Sequence, residues 1–357
     1  GDYDFEIFSI GPSRLSINGE ILIDNWTSQE PGEAFFGMGS AQKRGNIFFE
    51  KGQTYSLEIE YKWEGRFPAV QIGMQAPDQH DLMEEAILLA QEADAVILIA
   101  GTNSDWETEG NDRSTLDLPS NQNELIERIC KLNNNTVVVL NTGAPCEMPW
   151  INDATAALQC WFPGQEFGNS LSDVIFGNTN PSGKLPTTFP KSLKDTPAFS
   201  TYPGNDLQMD YEEGLFIGYR WYDKEDIKPL FPFGHGLSYT TFQYSNLRAI
   251  APKGSSSVAA FELDVENTGT IAGKEVIQGY VKVPNSQIER PLKELKKFEK
   301  ISLEPGETQK VVFELSERDL SFWSIENKSW QVEPAEYVFE VGASSADIRE
   351  STSVWLG

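Results

Sequence analysis

Hydrophobic and polar positions follow three rhythms along the chain. In the first stretch, Phe5-Glu6-Ile7-Phe8-Ser9-Ile10 and Ser13-Arg14-Leu15-Ser16-Ile17 alternate with period two, the mark of strands with one buried face. Asn18-Gly19 predicts a tight hairpin turn, Ile21-Leu22-Ile23 the returning strand, and Lys51-Gly52 a second turn ahead of a strand over 55–61. Near His80 the period changes. Leu82, Met83, Ala86, Leu89, Ala90 and Ala93 recur at helical spacing. The unbroken apolar run 95–100 then predicts a strand buried on both faces, as in a parallel sheet. A polar loop spans 102–119, Ser120 is placed to N-cap a helix running to Leu132, and buried strands follow at 137–140 and 156–161, with a helix near 166–176. Strand and helix alternate, so this stretch reads as an α/β domain with a mostly parallel sheet. Residues 178–240 are rich in Pro, Gly and aromatics and weakly periodic, which predicts an ordered connector. From Tyr244 onward, strands at 258–265, 275–283, 309–315 and 337–341 are separated by turns such as Pro305-Gly306, the pattern of a β-sandwich. The expected boundaries are a partial β-sandwich at 1–76, the α/β domain at 77–195, the connector at 196–243 and a second β-sandwich at 244–357.

Composition narrows the function. The 357 residues are 39% hydrophobic and 23% charged, as in a folded globular protein of several domains. The 54 acidic against 28 basic residues give a net charge of −26, which argues against nucleic acid or an anionic membrane as partner, since both call for a basic face. A neutral sugar is not repelled by such a field. No apolar run approaches the roughly 18 residues of a membrane span. Cys130, Cys146 and Cys160 are odd in number and lie in apolar stretches, so they read as buried thiols. With His80 and His235 the only histidines, a histidine-based metal site is not expected. The first residues, Gly1 to Phe5, show neither a basic head nor a cleavage pattern. The compartment stays open between secreted, periplasmic and cytoplasmic.

In open α/β sheets ligands gather beyond the carboxyl ends of the strands. The loop after the first buried strand lies there and carries Asp105, Trp106, Glu107, Glu109, Asp112 and Arg113. A positioned carboxyl can donate a proton to a leaving oxygen, and an indole can stack on the apolar face of a sugar ring. A solvated acidic loop is the plainer reading of the same residues.

The segment Glu107-Thr108-Glu109-Gly110-Asn111-Asp112-Arg113 resembles the acid/base loop of family 3 glycoside hydrolases. So do further segments in order: Val138 to Pro145, Trp161-Phe162-Pro163-Gly164-Gln165-Glu166, Asn180 to Pro186, and Phe231-Pro232-Phe233-Gly234-His235-Gly236-Leu237-Ser238-Tyr239. The tail, with Glu289-Arg290-Pro291-Leu292-Lys293, is similar to the family's fibronectin type III-like domain. Residues 1–76, through Ser13 to Gly19 and Ile23-Asp24-Asn25-Trp26, resemble the second half of a PA14 domain. The resemblance implies a retaining exo-β-glycosidase acting on small β-glucosides or cello-oligosaccharides, with no metal or organic cofactor. It implies Glu109 as general acid/base, with Glu107 the second choice. Glu107, Asp112 and Arg113 would support the loop, and Trp106 and the PA14-loop residues Phe35 and Phe36 would contact substrate. The nucleophilic Asp would come from an N-terminal (β/α)8 barrel half, which these residues do not contain. Ser104-Asp105-Trp106 spells the family's nucleophile motif but falls in the wrong loop. A β-xylosidase, or a non-catalytic carbohydrate-binding or scaffolding fragment, are the alternatives. Homo-oligomerisation stays open.

Overall fold

The computed structural model describes residues 1–357 except 33, 64–66, 78–80, 111 and 206–207. His80 and Asn111 therefore lie outside the described residues. The first unit holds six strands: β1 (Asp2–Ile10), β2 (Ser13–Ile17), β3 (Glu20–Asn25), β4 (Lys43–Phe48), β5 (Leu57–Tyr61) and β6 (Ala69–Gln75). They form two antiparallel sheets, ordered β4-β1-β6 and β3-β2-β5. Asn18 and Gly19 both take positive φ, 50° and 84°, which a two-residue turn between right-twisted strands requires. Phe5, Ile7, Leu15 and Ile23 from the two sheets close a small core. Between β3 and β4 lies a single helical turn, α1 (Ala34–Gly37), in which Phe35 and Phe36 are both left-handed.

The second unit begins with α2 (Leu82–Glu92), capped by Asp81, whose carboxylate accepts from the amides of Met83 and Glu84. Then come β7 (Val96–Gly101), α3 (Gln122–Leu132), β8 (Thr136–Asn141), β9 (Ala156–Gln159) and α4 (Phe167–Ile175). The three strands are parallel, in the order β7-β8-β9. Helices α2 and α3 cover one face, where Ile87, Ala90, Ile126 and Ile129 pack with Leu98, Ala100, Val138 and Leu140.

Three sequence expectations are corrected here. The apolar run of β7 is not buried on both faces: Ile97 and Ile99 remain 48% and 57% exposed, because the helices of this chain cover only the Leu98 and Ala100 side. Likewise Leu82 and Leu89 of α2 face solvent, and the helix is anchored by Ile87 and Ala90. Ser120 does not cap α3. Its φ is +54°, and the N-cap position falls to Asn121, which makes no side-chain capping bond.

The third unit is a β-sandwich. One sheet is β10 (Phe242–Ile250), β11 (Ser257–Asn267) and β14 (Thr308–Ser316). The other runs β13 (Glu294–Leu303), β12 (Gly273–Lys282), β17 (Ala335–Ser344) and β18 (Asp347–Leu356). A helical turn, α6 (Glu317–Leu320), and the hairpin of β15 (Phe322–Ser324) and β16 (Ser329–Gln331) complete it. Phe261, Leu263, Val265, Ile277, Tyr337 and Phe339 lie in one continuous core.

The connector carries one short helix, α5 (Tyr219–Lys224), and fastens the second unit to the third. The Leu185 amide donates to His235 O and the Gly234 amide donates to Leu185 O, both at 2.8 Å. Lys184 Nζ lies 3.0 Å from Glu275 Oε1 of β12 and donates to Gly236 O. The Leu295 amide of β13 donates to the Tyr219 hydroxyl at 2.8 Å.

Candidate active site

The loop that leaves β7 is built outward from the ends of the parallel strands. Gln122, the first residue of α3, grips the last residue of β7: its Oε1 accepts from Gly101 N at 2.7 Å and its Nε2 donates to Gly101 O at 2.9 Å. Thr102 extends the ladder by donating its amide to Asn141 O at 3.1 Å. Asn103 then folds one tight turn. Its side-chain Oδ1 accepts from the amides of Asp105 and Trp106, and its carbonyl accepts from Glu107 N at 2.9 Å, the local competition with regular structure that Asn performs well.

That turn drives the Glu107 side chain back onto the strand ends. Its Oε1 accepts from Thr102 Oγ1 at 2.5 Å and from Gly143 N, just beyond β8, at 2.9 Å. Arg113 Nη1 stands 4.0 Å from the same oxygen, and Arg113 Nη2 reaches Pro145 O at 3.4 Å. Gly143 makes room for Glu107: a Cβ there would sit 2.3 Å from Glu107 Oε2 and 2.6 Å from the Phe162 ring, so those side chains would have to shift. Beneath the pair lies fully buried Cys146, whose thiol burial pushes up to about 12, with Arg113 pulling the other way.

Glu109 is placed differently. It is exposed, and among the described residues it has neither a hydrogen bond nor an ion pair. Gly110, at φ +84°, turns the chain back toward Asp112 and Arg113. The result is a shallow cavity of about 330 Å³ lined by Trp106, Glu107, Thr108, Glu109, Asp112 and Arg113. Trp106 Nε1 and Arg113 Nη1, both in that lining, are buried donors without a hydrogen-bond partner, an unusual state for buried polar atoms. The Asp112 carboxylate, close to the Tyr202 hydroxyl of the connector, raises that tyrosine's pKa.

Five of the sequence-selected residues thus meet around one cavity. Arg113 faces Glu107 and not Asp112. Phe35 and Phe36 are not part of that cavity. Phe35 packs on Phe8, ring centroids 5.6 Å apart, while Phe36 is 79% exposed. Asp105 is exposed and outside the lining. Thr102 and Tyr202 were missed, and Gly143 was seen only as part of a turn. Gly143 meets Glu107 across 36 residues, which no local spacing encodes, whereas Thr102 lies only 5 residues from Glu107.

The sequence pattern of the glycosyl hydrolase family 3 C-terminal domain matches residues 25–239. This chain belongs to glycoside hydrolase family 3. A fibronectin type III-like domain matches residues 275–345. The chain is 39% identical to a β-glucosidase of Rhizobium radiobacter over all of its own length and 45% of that protein's. It is 41% identical to a β-glucosidase of Kluyveromyces marxianus over 98% of its length and 42% of the relative's. The crystal structure of the Kluyveromyces marxianus β-glucosidase in complex with glucose superposes with a TM-score of 0.90 at 39% identity, covering 100% of this chain and 43% of that one. A β-glucosidase from Streptomyces venezuelae in complex with D-glucose does so at 0.77 and 33%, covering 100% and 44%. The chain therefore spans less than half the length of these relatives and corresponds to their C-terminal part.

Proposed function

We propose that this chain supplies the general acid/base, Glu109, to a retaining exo-β-glucosidase whose nucleophilic Asp lies in an N-terminal barrel half. The observation that carries the choice is the contrast between the two glutamates. Glu107 is engaged by Thr102, Gly143 and Arg113, whereas Glu109 is unengaged at the cavity rim. A proton donor needs an oxygen that can approach the substrate. Glu109 is exposed with both oxygens unengaged among the described residues, whereas Glu107 is tied down through Oε1 and its side chain is only 18% exposed. The β-glucosidase names of the relatives favour a glucoside over a xyloside. In the first half-reaction the nucleophile's carboxylate bonds to C1, the C1–O bond breaks, and the proton of Glu109 passes to the leaving oxygen. In the second, Glu109 takes a proton from water as the water oxygen bonds to C1 and frees the nucleophile. The two carboxyl groups would stand about 5–5.5 Å apart.

Trp106, with its unpaired Nε1, is assigned to the leaving-group side, and Asp112 and Arg113 to holding the loop. The first unit is assigned as the second half of a PA14 domain. The exposure of Leu57 and Ile59 on its edge strand β5 supports a missing complement, since proteins seldom leave such edges bare. Phe36 is the residue of that unit best exposed to meet a second sugar, Phe35 being committed to Phe8.

The test uses the protein carrying both halves. Glu109→Gln should lower kcat/KM on alkyl or unactivated aryl β-glucosides by about 10²–10⁴-fold and spare substrates with highly acidic leaving groups. Azide should rescue Glu109→Ala by forming a β-glycosyl azide. Equal losses on all substrates would remove Glu109 from the role.

A further inference from the structure

The resemblance gives Glu107, Asp112 and Arg113 as loop supports and assigns no role to Thr102 or Gly143. Resting on the reading of Glu109 above, we propose that Thr102 and Gly143 are positioning residues for the acid/base. They act through Glu107, which fastens the loop to the carboxyl ends of two parallel strands.

Three observations converge. First, one oxygen of Glu107 joins both strands: Thr102 follows β7, Gly143 follows β8, and their donors meet Oε1 at 2.5 and 2.9 Å. Second, the site is cut to fit. Glu107 Oε2 occupies the space where any other residue at 143 would place its Cβ. Third, the chain between the clamp and Glu109 is short. Glu109 lies two residues beyond Glu107, Gly110 follows at φ +84°, and Arg113 Nη1 stands 4.0 Å from the same Glu107 oxygen. The loop apex bearing Glu109 is thus suspended from a closed base of Glu107, Arg113, Thr102 and Gly143. A shift of Glu107 moves the apex. A shift of an ångström at a reacting group is enough to cost large factors in rate, and hydrogen bonds to a carboxylate are among the stronger ones available to hold it.

The arrangement also gives Glu107 and Glu109 distinct duties despite their identical chemistry. Oε1 of Glu107 is taken up by its donors and ties that side chain to the strand ends, while Glu109 carries no such bond among the described residues and is left to move the proton.

The experiment compares Thr102→Val, Thr102→Ser and Gly143→Ala in the protein carrying both halves, with Glu109→Gln as the reference. Valine keeps the branched shape and loses the donor; serine restores it. Thr102→Val should lower kcat/KM on unactivated β-glucosides by on the order of 10-fold, the loss of one hydrogen bond to a carboxylate. On a dinitrophenyl glucoside, which needs little acid help, it should change less than about 3-fold. Thr102→Ser should be close to the parent on both. Gly143→Ala should repeat the Thr102→Val pattern, because its Cβ displaces Glu107. A uniform loss on every leaving group, or a Thr102→Ser no better than Thr102→Val, would overturn the positioning role. So would unchanged kinetics in Thr102→Val. If Glu109→Gln itself shows no leaving-group dependence, the assignment of Glu109 fails. If Glu109→Gln shows it and Thr102→Val does not, only the clamp fails.

Discussion

The C-terminal β-sandwich and the α/β unit differ in how they bury the apolar residues of their strands. In the sandwich, inward residues of both sheets, such as Phe261 and Phe339 stacked at 4.2 Å, meet each other and close the core from within. In the α/β unit one side of β7 packs on α2 and α3, while Ile97 and Ile99 on its other side face outward. A sheet of parallel strands is normally covered on both faces. Within this chain, the unit that carries the candidate catalytic loop therefore leaves one face of its sheet open. The sandwich is the self-contained one.

The largest effect should come from the closed core. Phe339→Ala removes a fully buried ring and should cost about 3–5 kcal/mol, read as a lower urea midpoint for the sandwich. Next comes the joint between the two units. Lys184 and Glu275 form a largely buried pair, and Lys184→Met leaves the Glu275 charge without its partner. A loss of about 3 kcal/mol is expected, and an unchanged urea midpoint would show that the pair does not fasten the units.

The open face gives the sharpest test, because neighbouring residues should behave oppositely. Leu98→Ala should cost about 2–5 kcal/mol in this chain. Ile99→Ala, one position along the same strand, should change its stability by less than about 0.5 kcal/mol. In a protein that also carries the N-terminal half, the Ile99→Ala cost should rise toward that of Leu98→Ala. Equal small costs in both contexts would mean that the face is a true surface.

The same contrast explains what could be read from the sequence. Period-two alternation and the Asn18-Gly19 turn found the first sheets, and the run 95–100 found β7, because both signals are local. The covering of β7 was misjudged because an apolar run reports the environment of the whole protein, while this chain supplies one side of it. Strands β13 and β18 escaped because charged residues stand at consecutive positions, as in Lys296-Lys297 and Arg349-Glu350, and so fall on both faces, which masks the alternation. At the candidate site, the carboxylates, Trp106 and Arg113 were legible from one loop. The ranking of Glu109 over Glu107 rested on resemblance until Thr102 and Gly143, brought in by strand pairing, gave it a physical reason.

The smallest expected effect lies at the joint and depends on pH. His235 stacks on Phe231, ring centroids 5.0 Å apart, and burial holds its pKa below the usual 6.5, helped by Lys184 and opposed by Asp347. The unfolded chain then takes up the proton at a higher pH than the folded one. Stability from the neutral ring is fully present above about 6.5 and is lost as the pH falls through the lower folded value. Acidification below 6.5 should weaken the joint, and His235→Phe, which keeps the stacked ring and cannot be protonated, should flatten that part of the profile. Urea midpoints of the two proteins at about pH 5 and pH 7.5 decide it. Parallel profiles would mean that the acid sensitivity does not arise from the imidazole.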